Sequence, residues 1–202
     1  SYFRIMWFFI TTPLIISIIY IIGFVMILKK ILDKIVNIDN NNLKIWDDKN
    51  KFFDFFLIFV VIAVLFLTNN FNESKFGGWR HLYFLYAPVI LIFLYAYKIF
   101  LDFKIIKTSL NLLILLTLIY NSIWIIKNHP HQNIYFNLLI KNYAQEKFDL
   151  DYWGVSNYEA LRHILKIDKS NEINIGAVSF SDLNTSKLKL DAKNMKRLSI
   201  VD

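Results

Sequence analysis

Apolar positions in this sequence fall into four long blocks, followed by a region of shorter period. The first block, residues 5–28, holds no charged side chain and is closed by Lys29 and Lys30. Residues 52–68 form a shorter block with Asp54 near its start, residues 82–101 are interrupted only by Pro88 and Lys98, and residues 109–126 form the fourth. A hydrocarbon core of about 30 Å takes about 20 helical residues. The blocks therefore predict four membrane-spanning helices over about 5–28, 52–68, 82–101 and 109–126. A membrane helix tolerates a proline such as Pro88, and Lys98 is placed to snorkel. Tyr83, Tyr86, Tyr95, Tyr97 and Trp124 lie toward the block ends, as interfacial aromatics do.

Beyond residue 126 the pattern changes to that of a small α/β domain, 127–202. Residues 151–156 (DYWGVS) predict a turn into a helix. Ser156 and Glu159 have capping-box spacing, Ala160, Leu161, Ile164 and Leu165 supply an apolar face, and Asn171 is the expected end. Residues 172–180 predict a strand with Ile173, Ile175 and Ala177 on one face, and residues 197–201 a second. The turn residues 181–184 and a lysine-bearing segment lie between them. That order fits the start of a parallel βαβ unit, incomplete as it stands. The expected fold class is thus an α-helical integral membrane protein of about four transmembrane helices, followed by a small, incomplete extracytoplasmic α/β domain.

Composition narrows the function classes. At 56% hydrophobic and 19% charged, with the apolar residues clustered before 127, the chain is neither a soluble globule nor a disordered segment. Cysteine is absent, which excludes disulfides, thiolate catalysis and Cys-ligated metals. The net charge of +7 is carried by short lysine runs between apolar blocks, which suits membrane orientation and not nucleic acid. Lys29, Lys30, Lys34, Lys44, Lys49 and Lys51 follow the first block, and Lys98, Lys104 and Lys107 follow the third. Only Lys75 and Arg80 stand between the second and third. The positive-inside bias puts the first two groups in the cytoplasm and residues 69–81 and 127–202 outside. Starting at Ser1 within a few residues of an apolar run, the sequence reads as a piece of a longer protein.

Three stretches on the expected outer side carry candidate chemistry. In the first, Gly77 and Gly78 precede Trp79, Arg80, His81 and Tyr83. A guanidinium matches phosphate oxygens with a planar fork, and an imidazole donates a hydrogen bond or moves a proton near neutral pH. At a membrane surface this set suits a lipid-linked phosphate, or equally an interfacial anchor for headgroups. The second stretch holds His129, His131 and Asn137. An H-x-H pair can ligate zinc, but Pro130 between them and the lack of a third ligand argue against metal, and no cofactor is expected. The third holds Asp149, Asp151 and Trp153. Two carboxylates so spaced serve acid–base work, bind a cation or cap the following helix. His163 is expected on a helix surface.

Taken together, GGWRHLYFLYAP at 77–88, HPHQNIYFN at 129–137 and FDLDYWGVSNYEAL at 148–161 resemble the C-terminal third of bacterial polytopic glycosyltransferases. These enzymes are similar to the dolichyl-phosphate-mannose protein mannosyltransferases and the aminoarabinose transferases. The resemblance covers nearly the whole chain after about residue 70. It implies a multi-pass enzyme of the bacterial cytoplasmic membrane, its donor a sugar on polyprenyl phosphate and its acceptor extracytoplasmic. It implies a catalytic carboxylate in an early outward loop, upstream of Ser1, and a substrate-binding part for Trp79, Arg80, His81 and Tyr83. His129, His131, Asn137, Asp149, Asp151 and Trp153 form a second tier. Gly77 and Ala87-Pro88 depart from the group, which often has an acidic or amide residue and a proline pair there. The alternative is a non-enzymatic membrane protein presenting an outer α/β binding domain.

Overall fold

The computed structural model of the chain describes residues 3–36, 49–70, 80–148, 150, 151, 153–176 and 182–201. Helix α1 spans Phe3–Thr11, α2 Leu14–Val36 and α3 Lys49–Asn70. A 3-10 turn, Arg80–Leu85, leads into α4, Tyr86–Phe100, and α5 covers Lys104–Lys127. After a second 3-10 turn, Gln132–Ile134, come α6 (Ala144–Lys147), α7 (Val155–Ile167) and strand β1 (Ile173–Ile175). The order closes with α8 (Leu183–Lys187), α9 (Ala192–Arg197) and β2 (Leu198–Ile200). Four helical stretches are long and apolar enough to cross a membrane: Leu14–Val36, Lys49–Thr68, His81–Phe100 and Lys104–Lys127. The chain divides into two compact units, residues 1–122 with 136–141, and residues 123–135 with 142–202.

The first apolar block differs from its sequence expectation. In place of one helix over 5–28 there are two, α1 and α2, broken at Thr12 and Pro13. Pro13 has no N–H to give Phe9, so the ladder of α1 cannot pass it. Asn137 takes over the lost bonds. Its Nδ2 donates to Phe9 O at 2.6 Å and to Thr12 O at 3.2 Å, and its backbone N–H donates to Ile10 O at 2.8 Å. Pro13 O then accepts from Ile16 and Ser17 to open α2. Replacing Asn137 by alanine leaves buried carbonyls without donors. A loss of roughly 1–3 kcal/mol is expected per unmet group, visible as a lower melting temperature of the detergent-solubilised protein.

The helical unit is centred on α2 and α4. Phe8 of α1, Tyr20 and Ile27 of α2, Leu57, Ile58 and Val61 of α3, and Val89 and Ile92 of α4 form one core, with Leu82 and Leu85 beneath. A second, smaller cluster joins Ile19, Ala96 and Leu110 from α2, α4 and α5. Gly23 allows α2 and α4 to approach until an added Cβ would lie 2.4 Å from Ile92 O. Lys30 of α2 joins three helices, donating to Asp54 of α3 and lying 5.6 Å from the Tyr95 ring of α4. By contrast, Leu110 is the one buried residue among those described in α5, and Leu112, Leu115 and Leu118 are all more than half exposed.

The α/β unit has its own core of Leu161 and Leu165 from α7, Ile173, Leu190 and Leu198. β1 and β2 pair in parallel with Ile173 opposite Leu198 and Ile175 opposite Ile200. A two-stranded sheet is marginal alone, and apolar packing beneath it is what holds it. Two boundaries move from their sequence positions. α7 stops at Ile167, not Asn171, because the Asp168 carboxylate accepts from Ser170 N at 2.8 Å and turns the chain. Arg197 fastens that turn by donating to Ser170 O at 2.9 Å and Asp168 O at 2.7 Å. The first strand ends at Ile175, and residues 177–181 lie outside the described part.

Candidate functional site

The 3-10 turn ahead of α4 has three residues per turn, so residues three apart share a side. Leu82 and Leu85 are buried on the side facing the helical core, while His81 and Phe84 are exposed. Tyr83 is exposed too, its ring 6.0 Å from that of Tyr86. Thus His81 and Tyr83 stand on a short turn secured by two buried leucines. Trp79 lies outside the described residues, as do Gly77 and Gly78, and of Arg80 the backbone position alone is described, first in the turn.

The second and third stretches meet inside the α/β unit. Past α5, Asn128 folds back, its side chain and backbone both donating to Trp124 O. The His129-Pro130 peptide is cis. His129 Nδ1 pairs with Gln132 Nε2 at 2.7 Å. Trp124 and Tyr135 meet edge to face with centroids 5.0 Å apart. His131, held in this folded exit loop, places Nε2 3.1 Å from Glu159 Oε2 on α7. His129 and His131 are thus engaged by different partners. Among the described residues no group of three His, Cys, Asp or Glu side chains gathers as a metal set.

Glu159 is therefore not the arm of a capping box. The cap of α7 comes from Asp151, which accepts from Val155 N at 2.9 Å, from Ser156 N at 2.8 Å and from the Ser156 hydroxyl. Gly154 makes that reach possible by adopting the left-handed conformation, φ 61° and ψ 34°. A carboxylate bridging back over a left-handed glycine takes the Ser156 N–H that Glu159 would accept from in a capping box, and it brings a full charge to the positive end of the helix. Partial burial pushes the Asp151 carboxyl up, but the Ser156 hydroxyl, the Ser156 and Val155 N–H groups and the charge of His131 outweigh it. The net position is below the usual carboxylate range. Trp153, between Asp151 and Gly154, is exposed, and Asp149 lies outside the described residues.

The cap has a pH signature. Because the Asp151 carboxyl titrates lower in the folded than in the unfolded chain, its contribution is complete above the ordinary carboxylate range. It is lost only as pH falls through the lowered folded value. Asp151→Ala is expected to cost about 1 kcal/mol at neutral pH, read as faster hydrogen exchange at the Val155 and Ser156 amides. The difference from the parent protein should shrink on acidification. An unchanged difference at low pH would argue that the carboxylate does not cap the helix.

Chemically, His131 is an imidazole oriented by a carboxylate, with a second carboxylate charge nearby. When Nε2 carries the hydrogen it donates to Glu159 and leaves Nδ1 as an acceptor, an arrangement able to hold or pass a proton. Asn137, by contrast, is buried, with both amide hydrogens committed to the α1–α2 break and its Oδ1 accepting from Leu139 N at 3.2 Å. His163 is exposed on α7. Sequence reasoning missed the His131–Glu159 pair, whose members are 28 positions apart. The Asp-x-x-Gly spacing at 151–154 is the local signal by which the cap could have been found. No protein-family model, curated protein or solved structure matches the chain.

Proposed function

We propose that this chain is the C-terminal part of a multi-pass glycosyltransferase of the bacterial cytoplasmic membrane. It moves a sugar from polyprenyl phosphate to an acceptor hydroxyl on the extracytoplasmic side. Four helices of spanning length support membrane insertion, and the lysine-rich ends that follow the first and third apolar blocks support the orientation. The observation that carries the enzymatic reading is the meeting of two motif stretches, 129–137 and 148–161, through the His131–Glu159 pair.

In this reading the acceptor oxygen attacks the anomeric carbon as the bond to the phosphate oxygen breaks, and polyprenyl phosphate leaves. A carboxylate outside residues 1–202 takes the acceptor proton. Arg80 neutralises charge growing on the phosphate, His81 donates a hydrogen bond to it, and Trp79 and Tyr83 offer ring faces to the sugar or lipid. The separate core of the α/β unit supports a second reading, a membrane-anchored binding module with no chemistry. The full-length protein in membranes, given labelled polyprenyl-phosphate sugars, decides between them. Transfer with release of polyprenyl phosphate is expected. Intact donor in every case, alongside retention of a soluble ligand by the outer unit, would leave the binding module standing.

A further inference from the structure

The charge of the C-terminal unit is unevenly spread. Residues 142–202 hold nine cationic and nine acidic side chains, and residues 182–197 of the crossover take five of the cations with two of the acids, Asp182 and Asp191. That crossover is α8, a turn and α9. Leu183, Ser186 and Leu190 point to the interior, and Arg197 is occupied with the Ser170 and Asp168 carbonyls. The remaining cations are Lys187, Lys189, Lys193 and Lys196, the last three exposed. Between Lys187 and Lys189, at the turn, Leu188 is 72% exposed. A single exposed leucine is ordinary. One raised on a turn, with a lysine on either side and two more in the next helix, combines an acyl-seeking tip with headgroup-seeking charges.

We propose that the crossover between β1 and β2 is a docking surface for an anionic phospholipid bilayer. Leu188 enters the interface, and Lys187, Lys189, Lys193 and Lys196 meet lipid phosphates. This rests on the reading that the four long helices span a membrane. Charge complementarity selects the partner: the crossover is the cationic part of a unit that is otherwise acidic. Each lysine near such a surface favours contact by about five-fold at moderate salt. The unit is continuous in sequence with α5, so the bilayer is always at high effective concentration, and weak contacts suffice for docking.

The absence of cysteine allows a clean test. Leu188→Cys and, separately, Leu115→Cys on the exposed surface of α5 are labelled with one fluorophore in the otherwise unaltered full chain. The labelled proteins are placed in nanodiscs containing quencher-bearing lipid, either with phosphatidylglycerol or with phosphatidylcholine alone. The label at 188 is expected to be quenched several-fold more in phosphatidylglycerol discs, and the excess to vanish at about 0.5 M salt or with Lys187→Glu and Lys189→Glu. Quenching at 115 with none at 188 would overturn the docking surface while the spanning helices stand. Equal quenching at 188 in both lipids would overturn charge recognition, and no quenching at 115 would remove the membrane reading on which the proposal rests.

Discussion

On the proposed function, Arg80→Ala in the full-length protein is expected to lower sugar transfer by roughly 10²–10³-fold, the cost of removing one fixed donor from a developing anion, while membrane insertion is unchanged. The 3-10 turn that begins at Arg80 is secured by Leu82 and Leu85, which the substitution does not touch. Arg80→Lys separates the two readings of this position. An interfacial anchor needs a cation that can reach headgroups, and lysine supplies it. A phosphate clamp needs the planar two-point fork, and lysine lacks it. The expected order of turnover is therefore arginine, then lysine well below it, then alanine, measured as release of polyprenyl phosphate from the labelled donor. Full activity in the lysine variant would leave Arg80 as an anchor and remove it from the transfer chemistry.

The largest stability effect is expected at Gly23. A Cβ there would stand 2.4 Å from Ile92 O and 3.2 Å from the Ala96 Cβ. A side chain could rotate out of the way, but Ile92 O belongs to the backbone of α4, so the helices themselves must separate. Small residues at such crossings are what let membrane helices pack closely. Separation opens the interface that buries Ile27 and Ile92 completely. Gly23→Ala should cost about 1–3 kcal/mol as an overpacked contact, and Gly23→Leu should prevent α2 and α4 from closing. Gly176 provides the control. Its Cβ would meet Val201 O at 3.4 Å, an ordinary contact, so Gly176→Ala should be close to neutral. Melting of the solubilised protein reads both, and a Gly23→Leu variant as stable as the parent would show that the close crossing contributes little.

Polar side chains mark where the helical unit is pinned, and each pin links distant parts of the chain. Asn137 closes the α1–α2 break from 125 or more positions away, Arg4 donates to Thr68 O at the end of α3, and Lys30 reaches Asp54. In a bundle packed mainly through apolar side chains, such bonds specify which helices are neighbours, a task that interchangeable leucine and isoleucine contacts perform poorly.

The long helices were legible in the sequence because their signal is local and additive. Twenty apolar residues in a row leave the backbone few alternatives to bonding within itself, but Lys29 and Lys30, expected to close the first block, lie inside α2, which runs on to Val36. The amphipathic spacing of Leu161, Ile164 and Leu165, and the β-rich segments around Ile173 and Leu198, were legible for the same reason. Tertiary structure decided what depends on a partner far along the chain. The break at Pro13, where one span over 5–28 was expected, is held by a donor for Phe9 O, and that donor is Asn137. Ser156 and Glu159 had the spacing of a cap, yet once Gly154 turns left-handed Asp151 takes the Ser156 N–H that Glu159 would have accepted from, and Glu159 meets His131 instead. Spacing fixes which residues can meet within one helical turn. Competition among polar groups for a limited set of donors is settled only when the chain has folded and brought every competitor within reach.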